Sequence, residues 1–184
     1  MVTEMGNKFG YISANDSQEA VFTYEYGVKM ADLAVQIVRA GTAAPMAWWL
    51  DDLGIKTWGM YDSVYSPALR PWFYTWSLLS RYVAPNSTIY APAQPSGMRF
   101  MAAETADSDW TFVFVNTNTT AVSTRLTVAT GGTITANEYI YSQSNMSTDS
   151  NGFPVASGQV SGDLMTGLTV EVPAHGMLLL TTLS

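Results

Sequence analysis

The chain has 184 residues, 47% hydrophobic and 12% aromatic, enough to build a core in one large domain or two small ones. Only 12% is charged, about half the usual share, and the net charge of −7 argues against a nucleic-acid partner, which needs Lys and Arg facing phosphates. There is no cysteine, so disulfides and thiolate metal sites are excluded.

No basic run or basic amphipathic helix points to an anionic membrane surface, and no apolar run approaches the roughly 18 residues needed to span a bilayer. Residues 1–15 lack the basic start and apolar core of a secretory signal. Low charge with abundant Ser, Thr, Asn and Gly nonetheless resembles the composition of exported proteins. The expectation is a secreted parent protein whose signal peptide is not in this chain.

In chain order, residues 1–5 read as the end of a strand, which Gly6 breaks. A polar loop follows to about Ser17, placed to cap a helix beginning near Gln18. Val21, Tyr24, Val28, Ala31, Val35 and Val38 keep helical spacing, and Gly41 sits where a C-terminal stop belongs, so the spacing predicts a helix over 18–40. The apolar run from Pro45 to Leu50 predicts a buried strand over 44–50. Asp51 and Asp52 follow at once, then a loop carrying Trp58, Tyr61 and Tyr65. Arg70 to Tyr82 reads as a helix that starts on Pro71. Strand, helix, strand, helix is a βαβα unit, with a right-handed crossover expected. In such folds the loop after the strand carries the chemistry. Aromatics beside two carboxylates suit a ligand that is flat, weakly charged and rich in hydroxyls, and a sugar fits.

Near Pro85 the pattern changes. Pro85, Pro92 and Pro95 lie in a stretch with no helical period, a hinge that divides the chain into 1–84 and 85–184. The first part holds six bases and eight acids, the second two bases and seven acids. Beyond the hinge the period falls to about two. Strands are expected over Met98–Thr105, Trp110–Asn116, Val122–Ala129, Thr133–Ser142, Leu168–Val172 and Met177–Leu183, with turn residues such as Gly131-Gly132 and Asn151-Gly152 between them. Strands so spaced predict an antiparallel β-sandwich. The fold class is therefore α/β plus all-β: a partial (β/α) barrel segment, about a quarter of a barrel, followed by the sandwich. Two parallel strands and two helices cannot cover a parallel sheet on both faces. The first 84 residues must pack on the sandwich, on another copy, or on a missing part of a longer protein.

Four short stretches resemble one known family. Val2-Thr3-Glu4-Met5-Gly6, the Trp48-Trp49 pair, the aromatic and Leu-rich run from Trp72 to Tyr82, and the final Val172-Pro173-Ala174-His175-Gly176-Met177-Leu178-Leu179-Leu180 occur in the order seen at the C-terminal end of clan A retaining glycoside hydrolases. These are the cellulase-like and glucosylceramidase-like β/α barrel enzymes. The resemblance covers nearly the whole chain but about a quarter of a barrel. It implies that Glu4 is the former nucleophile at the end of the seventh barrel strand. It implies that Trp48 or Trp49 lines a sugar subsite from the eighth strand, and that the sandwich is the appended domain. The clan's general acid/base follows the fourth strand, and that region has no counterpart here. Retaining hydrolysis needs two carboxyl groups about 5 Å apart, so the chain alone is expected to have little or no glycosidase activity.

The remaining candidates have two readings each. Trp48 and Trp49, being adjacent, point to opposite faces of a strand. Asp51 and Asp52 either bond sugar hydroxyls or cap the following turn. Trp58, Tyr61 and Tyr65 form a stacking platform or pack against the sandwich. His175 is the only histidine, so an esterase-like Ser-His-Asp site would have to use it, and no Gly-x-Ser-x-Gly elbow is present. One histidine, no cysteine and no calcium-loop spacing of acids predict neither metal nor cofactor. The expected partner is a carbohydrate substrate or ligand, with neither nucleic acid nor membrane. A non-catalytic alternative is a self-assembling, sugar-binding homo-oligomer. Four copies would supply the eight strands of a barrel, a tetramer that crowds four Glu4 carboxyls at one mouth.

Overall fold

The computed structural model describes residues 2–48, 50–52, 57–63 and 67–184. They form two compact units, Met1–Leu79 and Ser80–Ser184. Among the described residues the sheets are mostly antiparallel, the helices few, and no barrel closes.

The first unit runs β1 (Val2–Met5), β2 (Tyr11–Ile12), β3 (Ser17–Gln18), α1 (Tyr24–Arg39), β4 (Pro45–Ala47), β5 (Tyr61–Asp62), β6 (Ala68–Leu69) and α2 (Pro71–Tyr82). The last three residues of α2 group with the second unit. β1 and β4 pair in parallel, Met5 opposite Ala47, with an irregularity between Val2 and Met5. β2 with β3, and β5 with β6, make two small antiparallel pairs inside what the sequence presented as loops.

α1 is shorter than its apolar spacing predicts. It begins at Tyr24, where the Thr23 hydroxyl accepts the Tyr26 N–H at 3.3 Å, not at Ser17. A single 3₁₀ turn, Glu19–Phe22, precedes it. The reason is Gln18, which is buried and bonded in a way no helix allows. Its side-chain amide donates to the carbonyls of Asn7 and Phe9, and its backbone N–H donates to Thr57 at 3.0 Å. A buried polar side chain is stable only when so partnered, and these bonds fix Ser17 and Gln18 in β3. Helix α1 ends as expected: Gly41 has φ 87° and its N–H donates to Val38. Tyr26 and Met30 of α1 join Ala20, Val21, Met60 and Trp72 in one apolar cluster, with Ala47 and Trp76 against it. Burial of each large side chain there contributes about 1.5–3 kcal/mol.

The second unit continues with β7 (Thr88–Tyr90), β8 (Met98–Glu104), β9 (Trp110–Asn116), β10 (Val122–Leu126), β11 (Thr133–Ser142), β12 (Asn145–Met146), β13 (Gly158–Asp163), β14 (Leu168–Val172) and β15 (Gly176–Thr181). Seven strands form one sheet in the order β12-β11-β15-β9-β8-β7, with β13 also paired to β11, while β10 and β14 form a second sheet. Every pairing in this unit is antiparallel. One apolar cluster takes Phe112, Phe114, Leu178 and Leu180 from the large sheet and Leu126, Leu168, Val170 and Val172 from the small one, which makes the unit sandwich-like. Alternation explains the choice: Phe112 and Phe114 share one face of β9, and Thr111, Val113 and Val115 take the other. On that other face the Tyr82 and Tyr139 hydroxyls are hydrogen-bonded, and Thr111 Oγ1 donates to the Tyr82 carbonyl at 2.8 Å.

Candidate functional site

The site is built on the ends of β1 and β4. Met5 is buried, and its partner Ala47 packs against the apolar cluster. Glu4, next to Met5, and Met46 and Trp48, on either side of Ala47, are all exposed, Trp48 at 38%. The ladder extends one step past β4, where the Trp48 N–H donates to the Met5 carbonyl at 2.8 Å. An exposed carboxylate and an exposed indole therefore stand at the ends of adjacent parallel strands. Trp49 and Tyr65, also expected at a site, lie outside the described residues.

Asp51 and Asp52 begin the following loop and have different surroundings. Asp51 is half-buried and turns inward locally: its Oδ1 accepts the N–H of Asp52 at 2.7 Å and of Ser63 at 3.1 Å. Asp52 is fully committed. Its Oδ1 accepts from Trp58 N at 2.9 Å, Gly59 N at 2.7 Å and Arg70 Nη1 at 2.8 Å, and its Oδ2 accepts from Arg70 Nη2. Both members of the pair are buried. Asp62 stands 3.6 Å from the same guanidinium, and Arg70 Nη1 also donates to the Gly59 carbonyl at 2.6 Å. Burial alone would push the Asp52 carboxyl up. The Arg70 guanidinium and the Gly59 and Trp58 N–H groups overcome it and hold the carboxyl below its ordinary range.

This arrangement forces Gly59. A Cβ there would stand 2.7 Å from the Asp51 carbonyl carbon and 2.9 Å from the Asp52 nitrogen, so no other residue fits. Trp72 closes the group, its indole N–H donating to the Gly59 carbonyl at 3.1 Å. The guanidinium lies over the Phe22 ring at 4.3 Å.

Trp58 and Tyr61 are half-buried. The Trp58 indole N–H donates to the Asp16 carbonyl at 2.7 Å, and its ring meets Tyr11 edge-on at 5.7 Å. Tyr61 pairs with Leu69 in the β5–β6 hairpin, and its N–H donates to Leu50. Asp51, Asp52, Trp58 and Tyr61 are thus tied into one loop by backbone and carboxylate bonds. His175 stands in the turn before β15, in the second unit, with φ 46° and its N–H donating to the Asn118 carbonyl at 2.8 Å. Arg70, Asp62 and Gly59 escaped the sequence reading as a group. The one available signal was a lone arginine immediately before a helix-starting proline, downstream of two acids. Among the described residues no group of three or more His, Asp or Glu is placed to hold a metal ion.

No protein-family model and no curated protein matches the chain. Solved structures do. Residues covering 99% of this chain superpose on 40% of the catalytic domain of the family 30 xylanase C from Talaromyces cellulolyticus, with a TM-score of 0.66 and 19% identity. A family 30 subfamily 8 xylanase from Clostridium acetobutylicum gives a TM-score of 0.69 at 16% identity, over 98% of this chain and 41% of that one. The α-L-arabinofuranosidase from Thermotoga maritima gives 0.63 at 11% identity, over 94% and 41%. The chain spans about 40% of the length of these structures. The likeness is one of fold: the chain resembles a portion of these glycoside hydrolases.

Proposed function

We propose that the chain is the C-terminal part of a retaining β-glycosidase, its residues 1–84 a barrel segment and 85–184 the appended sandwich. Glu4 is the nucleophile and Trp48 the wall of a sugar subsite. The observation that supports this reading is that Glu4 and Trp48 are both exposed at the ends of two hydrogen-bonded parallel strands. In a barrel, strand ends at one mouth are where the chemistry sits. The neighbours described as xylanases and arabinofuranosidases favour a pentose-containing polysaccharide as substrate.

In this reading a substrate ring lies on the Trp48 indole, and the Glu4 carboxylate attacks the anomeric carbon to form a glycosyl ester. The leaving oxygen needs a proton from a second carboxyl, supplied by protein outside these 184 residues. Asp52 is not that acid, because Arg70 keeps it ionised and its oxygens are occupied. Asp51, Asp52, Trp58 and Tyr61 hold the loop beside the strand ends. The test is titration of the chain with xylo-oligosaccharides, followed by tryptophan fluorescence, together with aryl β-glycoside hydrolysis. Quenching that Trp48→Ala abolishes, without turnover, is expected. Turnover by the chain that survives Glu4→Gln would defeat the reading.

A second reading has one observation in its favour. Among the described residues β1 and β4 pair only with each other, and Met46 and Leu50 are 52% and 64% exposed. Unpaired edges with apolar neighbours drive association, so copies of the chain would complete the sheet for one another. Light scattering distinguishes the two: a monomer at all concentrations removes self-assembly.

A further inference from the structure

Four of the eight asparagines, Asn15, Asn86, Asn118 and Asn145, head an Asn-x-Ser/Thr triplet with no proline in the middle. Such triplets accept an oligosaccharide in a secretory compartment, provided the folded chain leaves room for it. The structure grades the four. Asn86 is exposed, in the turn between α2 and β7, with φ 63°. Asparagine tolerates that left-handed backbone better than other side chains with a Cβ. Ser87 fixes the turn by donating from Oγ to the Ala84 carbonyl at 2.8 Å, and Thr88 is exposed at the start of β7. Asn15 is exposed too, in the β2–β3 turn, but Ser17 is buried with its hydroxyl on Asn15 Oδ1 at 2.6 Å. Asn145 is half-buried, with Ser147 Oγ on its Oδ1 at 3.2 Å. Asn118 is the least free. Its N–H donates to Asn116 Oδ1, its carbonyl accepts from His175, and its amide group lies directly on Gly97, where a Cβ would come within 2.2 Å of Asn118 Oδ1.

We propose that Asn86 is an N-glycan attachment site and that Asn118 stays unmodified, Asn15 and Asn145 being minor acceptors. In the step, the Asn86 amide nitrogen attacks the anomeric carbon of a lipid-pyrophosphate-linked oligosaccharide. The C–O bond to the pyrophosphate breaks, an N–C bond forms, the lipid pyrophosphate leaves, and the amide gives up one proton to the transferase. The placement has a consequence for the fold. β7 is the outer strand of the large sheet, with one partner, β8. A glycan two residues before it covers an edge that would otherwise invite another strand.

The test is secretion of the full chain from yeast behind a cleaved leader, then enzymatic glycan release in heavy-oxygen water and peptide mass mapping. Heavy-oxygen aspartate at position 86 in most molecules is expected, with little at 15 and 145 and none at 118. Asn86→Gln removes most of the glycan mass, and Asn118→Gln removes none. Secreted chain bare at Asn86, or carrying glycan at Asn118 in preference to Asn86, overturns the proposal. Because folding of Asn86→Gln is checked by its unchanged secretion, loss of glycan cannot be confused with loss of structure.

Discussion

The two units are stabilised in different ways. The unit Ser80–Ser184 is a sheet protein: β9, with all seven residues buried, and β15, with all six, form a continuous apolar centre. Among its described residues, the unit Met1–Leu79 has two-stranded sheets alone and a cluster of six buried apolar residues. It compensates with polar bonds, centred on the buried Asp52–Arg70 pair with Asp62 alongside. A sheet core tolerates loss of any one polar bond, whereas a loop held by one guanidinium fails when that group is removed.

The largest effects should separate the units. Phe112→Ala leaves a cavity in the sandwich-like core and should cost about 3–5 kcal/mol, seen as faster amide exchange in β8, β9 and β15. Arg70→Met strips the buried Asp52 and Asp62 of their cation and should cost a similar 3–5 kcal/mol, seen in α1 and the β5–β6 hairpin. If either variant loosens both units equally, the contrast drawn here is wrong and the chain unfolds as one body. Asp52→Leu combined with Arg70→Met should recover much of the loss, because no unpaired charge is left buried.

Smaller effects follow from pH. Asp52 has its folded pKa held below the unfolded value, so its contribution is present above about pH 4 and is lost as pH falls through the depressed range. Tyr74 behaves in the opposite sense. Burial pushes its phenol up to about 12, so its neutral form favours the fold below about pH 10, and that contribution is lost as pH rises from about 10 to 12. Both residues lie in the first unit. Acid and alkali should therefore weaken amide protection there before they weaken β9 and β15. Arg70→Met should abolish the acid-side difference. The smallest change is Thr23→Ala, which removes the α1 cap and should cost about 1 kcal/mol, confined to the first turn of that helix.

Local pattern decided much of this chain. Runs rich in Val, Thr, Phe and Tyr gave Trp110–Asn116, Thr133–Ser142 and Leu168–Val172 their strand identity to the residue, because such residues favour strands and the turns between are rich in Gly and Asn. Pro71 and Gly41 marked a helix start and a helix end through backbone constraints that act within a few residues. Partners distant in sequence decided the rest. Gln18 left the expected helix for bonds to Asn7, Phe9 and Thr57. Strand β13 has little apolar pattern and exists because β11 offers it a ladder. Asp52 read either as a sugar-bonding acid or as a cap of the following turn. It takes the turn N–H groups of Trp58 and Gly59, and only the fold adds Arg70, 18 residues away. The parallel pairing of β1 with β4 likewise joins residues far apart in the chain, Met5 and Ala47. Periodicity and turn chemistry are local and can be read from the chain. Pairing and charge burial depend on which distant groups meet, and only the folded molecule brings them together.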